Sequence, residues 1–278
     1  MIGATPVFLD INKDFNLNPD KLEKAITKNT KAVIAVSMFG ACANLTKIKK
    51  ICELKNIYLI EDAAQSFGAK HNDAMSCSFA DISTTSFFPA KPLGCYGDGG
   101  AIFTNNDHLF KKIDAISKHG QNGRYNYIEV GLNSRLDTIQ AAVLIEKLKI
   151  FEKEITTKNQ VAKKYNDFLS SSNKIILPHI PNEKNRSVWA QYTIILDKSL
   201  ADSREKLMGE LKELNIPSAL YYPQPLHLVS IYADSRSSLP ITEDLSSRVL
   251  SLPMHAYLED DEIEYICNNL LMLITKQK

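Results

Sequence analysis

Over residues 31–60 the chain changes its hydrophobic period twice, and this constrains the fold more than any other feature. Residues 31–37 form an apolar run that reads as a buried strand. Residues 45–55 carry the spacing of an amphipathic helix, and residues 57–60 are apolar again. Two strands joined by a helix become parallel neighbours through a right-handed crossover, so the fold class is α/β with a mostly parallel sheet. Asn18-Pro19-Asp20 opens a shorter helix through Ile26, with a capping side chain and a proline at its first turn. Residues 5–10 read as a further strand, and residues 81–88 and 100–104 extend the sheet. From Asp137 to about Ser171 the pattern turns helical and charged, as connecting helices would. After Pro178 a strand at 189–196, a helix at 203–214 and a closing helix at 261–273 read as a smaller α+β unit. The expected division is 1–136 as the large domain, 137–172 as the connecting helices and 173–278 as the small C-terminal domain.

Two segments carry chemistry. The run Ile57-Tyr58-Leu59-Ile60 ends in Glu61-Asp62 and then in small residues and Gln65, which reads as a strand emptying into a site at its carboxyl end. A carboxylate there is costly unless it meets a cation or a strong donor. The alternative is an Asp that caps the next turn. Downstream, Ser86-Phe87-Phe88-Pro89-Ala90-Lys91 leads into Pro92-Leu93-Gly94-Cys95-Tyr96-Gly97-Asp98-Gly99-Gly100, a stretch too rich in glycine for a regular helix. A lysine held there out of bulk water has its neutral amine favoured, which suits covalent chemistry with a carbonyl cofactor such as pyridoxal phosphate. The glycines fit neither the dinucleotide fingerprint nor the Walker phosphate loop.

Charge excludes other classes. With 33 basic and 32 acidic residues among 278, no general nucleic-acid or membrane-surface binder is indicated. Five cysteines with no C-x-x-C pair suggest neither a disulfide framework nor a zinc site, and fit a reducing cytoplasm. No apolar run reaches the roughly 18–20 residues that cross a bilayer, and no signal-peptide pattern follows Met1.

Together with Gly97-Asp98-Gly99-Gly100 and Gly131-Leu132-Asn133-Ser134-Arg135-Leu136-Asp137, these segments resemble, in the family's order, the DegT/StrS family of sugar aminotransferases. The resemblance implies an aspartate aminotransferase-like fold (pyridoxal phosphate fold type I) and dependence on pyridoxal 5'-phosphate. Lys91 would bond the cofactor and move the proton; the related sugar dehydratases carry histidine there. Asp62 would meet the ring nitrogen, Gln65 the phenolic oxygen and Ser86 the phosphate, although Ser86 could instead bond its own backbone. Asn133 and Arg135 match residues that reach a neighbouring subunit's site, which implies a homodimer with shared active sites. Arg135 could instead pair with Asp137. His119, Tyr221 and Tyr222 fall in segments used near the substrate, with Tyr221 where relatives carry histidine. Within the family, the nearer resemblance is to the UDP-2-acetamido-2-deoxy-3-oxo-glucuronate aminotransferases of O-antigen synthesis, with glutamate as donor. A 4-keto nucleotide-sugar aminotransferase is the alternative, and a non-catalytic remnant a third reading. The family's Gly/Ser-Gly-Thr phosphate turn does not occur upstream of Glu61, so the family's N-terminal segment is expected to be missing.

Overall fold

The computed structural model describes residues 2–182, 184–233 and 237–277. Helix α1 (Pro19–Ala25) starts where Asn18 accepts the Asp20 N–H, and its proline needs no hydrogen-bond donor there. It leads into β1 (Ala32–Val36), α2 (Leu45–Lys55) and β2 (Tyr58–Asp62). Strands β1 and β2 are parallel, in register from Ala32 opposite Tyr58 to Val36 opposite Asp62. Helix α2 keeps the bounds read from sequence: Asn44 caps its start, and Asn56 ends it in the left-handed conformation. A hairpin of β3 (Lys70–His71) and β4 (Ala74–Met75) turns through Asn72 and Asp73, both at positive φ. Then β5 (Ile82–Ser86) joins β2 in parallel and β6 (Gly100–Phe103) joins β5 antiparallel, which gives the sheet order β1-β2-β5-β6. Helix α3 (Asp107–Ser117) follows.

The connecting stretch is one uninterrupted helix, α4 (Thr138–Leu169). Its apolar residues serve two cores in turn. Leu144, Phe151 and Ile155 pack with Phe87, Leu93 and Cys95 beside the first sheet. Val161, Ala162, Tyr165 and Leu169 pack into the C-terminal core. That core closes over a second, antiparallel sheet of β7 (Ile175–Ile176), β8 (Tyr192–Leu196) and β9 (Val249–Leu252), with α5 (Arg204–Glu213), α6 (Pro240–Arg248) and α7 (Asp260–Lys276) around it. Strand β8 starts three residues later than its pattern implied, because Trp189 sits at φ 47, outside the extended region. Gly40, at φ +99, lets the two units meet: a Cβ there would lie 2.5 Å from the Trp189 nitrogen.

Two readings need correction. Residues 5–10 form no strand, because a ladder needs a partner and none of the described residues pairs with them. The segment is fixed instead by Asp10, whose carboxylate accepts from Thr242 Oγ1 at 2.7 Å, Thr242 N at 2.9 Å, Ile241 N at 3.2 Å and Lys21 Nζ at 3.0 Å. It thereby satisfies the free N–H groups at the start of α6. Strand β1 is buried on one face only, since Ile34 is 60% exposed.

Candidate active site

Strands β1, β2 and β5 run in one direction, so their carboxyl ends open along a single edge of the sheet. Asp62 is the last residue of β2 and stands opposite Thr84. Side chains alternate along a strand, so Ser86, two residues past Thr84, lies on the same face as Asp62. Both are half-buried. One Asp62 oxygen accepts the Ala64 N–H at 3.0 Å; the other has no partner among the described residues. Ser86 Oγ accepts from Phe88 N at 3.2 Å, so the backbone bond considered from sequence does form. Its hydroxyl proton is still available to donate.

Neighbouring Glu61 faces the opposite side and is fully buried. It accepts from Ser76 Oγ at 2.7 Å, Cys77 N at 2.8 Å and Ser83 Oγ at 3.2 Å. Burial pushes its carboxyl above the ordinary 4.5, against the pull of those hydrogen bonds. Glu61 anchors β2 to β5 and to the β4 turn directly behind Asp62. Sequence reasoning saw the carboxylate without assigning it this task.

Lys91 stands on the loop that leaves β5, half-buried, with no side-chain hydrogen bond or ion pair among the described residues. The loop is fixed mainly by its backbone. Lys91 N donates to Phe88 O, Cys95 N to Phe87 O, and Phe87 N to Gly99 O, each at 2.8 Å. From α4, Lys147 Nζ donates to Gly94 O at 2.6 Å, and Gln140 Oε1 accepts from Tyr96 N at 2.9 Å. Neither anchor was foreseen from the sequence. Gly94 is required because a Cβ there would lie 2.5 Å from Pro89 O.

Gln65 is 5% exposed and held from both sides. Its Oε1 accepts from Phe39 N at 2.7 Å, and its Nε2 donates to Tyr222 Oη at 3.2 Å. Phe39, at φ 55, is a further site residue that the sequence did not indicate. The Tyr222 contact joins the β2 end to the C-terminal unit. Tyr221 packs edge-on against Tyr222, with ring centroids 5.7 Å apart.

His119, Asn133 and Arg135 lie together elsewhere, on one exposed loop. Arg135 Nε donates to Asn133 Oδ1 at 2.9 Å, and His119 N to Leu132 O at 2.9 Å. Arg135 thus pairs with Asn133 and not with Asp137. Among the described residues, no hydrogen bond or ion pair joins these three to Lys91, Asp62, Gln65 or Ser86. No group of metal-ligating side chains is found among the described residues. The five cysteines are free thiols, and no helix is long and apolar enough to cross a membrane.

Residues 1–271 match the model of the DegT/DnrJ/EryC1/StrS aminotransferase family. A UDP-2-acetamido-2-deoxy-3-oxo-D-glucuronate aminotransferase from Pseudomonas aeruginosa is 47% identical over 96% of this chain and 73% of its own length. A DegT DnrJ EryC1 StrS aminotransferase structure from Brucella abortus superposes with a TM-score of 0.92 at 41% identity, over 99% of this chain and 75% of that one. NtdA from Bacillus subtilis, solved with bound cofactor PMP, superposes with a TM-score of 0.88 at 30% identity, over 98% of this chain and 63% of that one.

Proposed function

The chain belongs to the DegT/DnrJ/EryC1/StrS aminotransferase family, and we propose that it transfers an amino group from glutamate to a keto nucleotide sugar. The acceptor we assign is UDP-2-acetamido-2-deoxy-3-oxo-glucuronate, in the cytoplasmic synthesis of a bacterial surface polysaccharide such as an O-antigen. One observation carries the reaction class: Asp62 and Ser86 end neighbouring parallel strands on one face, with Lys91 on the loop that leaves the second. The named activity of the Pseudomonas aeruginosa relative supports the acceptor. The same reading takes residues 1–136 as the cofactor-binding unit, 137–172 as the connector and 173–278 as the smaller unit.

The donor set fits pyridoxal phosphate. It combines an amine, a carboxylate with a free oxygen, a hydroxyl with a free proton and a buried amide. When bound, the cofactor supplies a carbonyl and a ring that withdraws electrons. Lys91 Nζ would hold the cofactor and would serve as the base and acid that moves the proton during amino transfer. The Asp62 carboxylate would pair with the ring nitrogen and favour its protonated form. Gln65 gives one amide hydrogen to Tyr222 and retains a second for the phenolic oxygen. Ser86 donates to the phosphate. Tyr221, Tyr222 and His119 border the sugar. Asn133 and Arg135 act in the site of a second copy, where the Arg fork suits phosphate or carboxylate.

The test is release of 2-oxoglutarate when the chain is given pyridoxal phosphate, glutamate and the 3-keto UDP-sugar. Turnover should exceed that with a 4-keto nucleotide sugar and vanish in Lys91→Ala. Undiminished transfer in Lys91→Ala, or preference for the 4-keto acceptor, would overturn the assignment. For the shared site, Lys91→Ala and Arg135→Ala chains should regain activity on mixing. No recovery despite demonstrated subunit exchange would show that Arg135 does not act across an interface.

A further inference from the structure

The loop that carries Lys91 is poorly equipped to hold its own shape. Pro89 and Pro92 have no N–H to donate. Within residues 88–94 the backbone makes one bond to itself, from Lys91 N to Phe88 O at 2.8 Å. Pro92, Leu93 and Gly94 join Lys91 to the anchored Cys95, and make no backbone–backbone bond among the described residues. Their one hydrogen bond comes from α4, where Lys147 Nζ donates to Gly94 O at 2.6 Å. Leu93 is also buried, against a cluster that includes Leu144 and Phe151 of α4. Apolar burial has no direction, so it fixes where this limb lies and leaves its peptide planes free to tilt. A hydrogen bond is directional, and only the one from Lys147 sets the tilt at Gly94.

The donor is itself held in place. Gln140, Leu144, Lys147 and Phe151 follow one another at spacings of four and three, and so share one face of α4. On that face Gln140 Oε1 accepts from Tyr96 N at 2.9 Å, and Lys147 Nζ lies 5.5 Å from the centre of the Tyr96 ring. Nearby Lys149 takes Glu146 as its ion partner at 2.7 Å. Lys147 is half-buried and has no carboxylate partner among the described residues, so its ammonium serves the Gly94 carbonyl. A charged donor makes that bond stronger than one between neutral groups.

We propose that Lys147 is a positioning residue for Lys91: by holding Gly94 O it fixes the turn from Lys91 to Cys95, and with it the direction from which Lys91 Nζ enters the site. The inference rests on the proposed function, in which Lys91 bears the cofactor and moves the proton. Those two tasks need the same amine at two neighbouring places, so its backbone has to stay in one. A displacement of about 1 Å at such a group slows a reaction by about 10²-fold. The clamp also refers Lys91 to the C-terminal unit, because α4 continues into that unit's core through Val161, Ala162, Tyr165 and Leu169.

The experiment compares the full chain with Lys147→Met, which keeps an apolar stem and removes the ammonium, and with Lys147→Arg, which keeps a charged donor. Three readouts are taken beside the melting temperature. Without cofactor, amide hydrogen exchange across residues 91–95 should quicken in Lys147→Met. With pyridoxal phosphate and borohydride, labelling of the Lys91 peptide should slow by about tenfold or more, while labelling of the other lysines stays as in the parent. In steady-state transfer, kcat should fall by about ten- to a hundredfold with the KM for glutamate within about twofold. The melting temperature of Lys147→Met should fall by no more than about 4 °C, and Lys147→Arg should restore most of each loss. Parent rates of labelling and turnover in Lys147→Met would overturn this inference alone. So would equal losses in Lys147→Met and Lys147→Arg that track a shared fall in melting temperature, since the contact would then be structural only. Absence of label on Lys91 in the parent chain would overturn the site reading and this inference with it.

Discussion

Replacing Glu61 tests the frame on which the site stands. Its carboxylate is fully buried and accepts from the Ser76 hydroxyl, the Cys77 N–H and the Ser83 hydroxyl. In Glu61→Leu, Ser76 can turn wholly to its other neighbour, Ser66 Oγ, at 2.9 Å. The Cys77 N–H is fixed by the backbone and Ser83 has no comparable second partner, so two buried donors lose their acceptor. Each unmet donor costs about 1–3 kcal/mol, and shedding a buried carboxyl offsets part of the sum. The net loss should be about 2–4 kcal/mol, which lowers the melting temperature by roughly 2–4 °C for each kcal/mol. Glu61→Gln keeps one oxygen for Cys77 and Ser83 and can donate to Ser76, so its loss should stay near about 1 kcal/mol or less. The pH dependence has a definite sign. Burial raises the folded carboxyl above 4.5, so the folded chain binds more protons than the unfolded one. Wild-type stability therefore falls as pH rises from 4.5 through the folded value, while the amide is indifferent. The loss on Glu61→Gln should therefore shrink as pH rises, by at most about 1.4 kcal/mol per unit. Urea unfolding followed by circular dichroism, at steps from about pH 5 to about pH 8, measures it. A Glu61→Leu chain as stable as wild type would refute the accounting, and so would a Glu61→Gln loss that stays flat or deepens as pH rises.

Three further outcomes follow from other residues. Burial raises the Asp10 carboxyl, but its hydrogen bonds from Thr242, Lys21 and Ile241 outweigh that and hold it at about 2, against an ordinary 3.8. Asp10→Asn should therefore cost about 2 kcal/mol at neutral pH. It should also remove the stability that wild type loses as pH falls from 3.8 toward 2, which acid unfolding of both chains would show. Asp62→Asn should retain pyridoxal phosphate but slow amino transfer by about 10³-fold, equivalent to ~4 kcal/mol, in steady-state kinetics. Borohydride treatment after adding pyridoxal phosphate should leave the cofactor's mass on the peptide that contains Lys91, and peptide mass spectrometry reads the position directly.

What the sequence made legible was local, and what it hid was non-local. Helix α2 could be bounded because its period, its cap at Asn44 and the stop at Asn56 all lie within the segment. Residues 5–10 look like a strand, but a strand exists only with a partner, and Asp10 contacts residues far away in the chain. In the site, Asp62, Ser86 and Lys91 could be read from two short motifs. The Gln65–Tyr222 bond could not be, since it spans 157 positions.

The paired carboxylates at the end of β2 show why adjacency in sequence misleads about role. Successive strand residues face opposite sides of the sheet, so Glu61 and Asp62 occupy different environments although one peptide bond joins them. The face of Glu61 is closed by the hairpin turn and by Ser83, and a carboxyl there can only be structural because no ligand reaches it. The face of Asp62 stays half-open at the edge where three parallel strands end, so its free oxygen can meet a cation from outside the chain. A one-residue shift in the pairing of β2 would exchange the two roles, burying Asp62 among the serines and turning Glu61 outward. The three hydrogen bonds to Glu61 oppose that shift, because they can be made in only one register. Binding chemistry on one face of the strand is therefore held in place by satisfied polar contacts on the other.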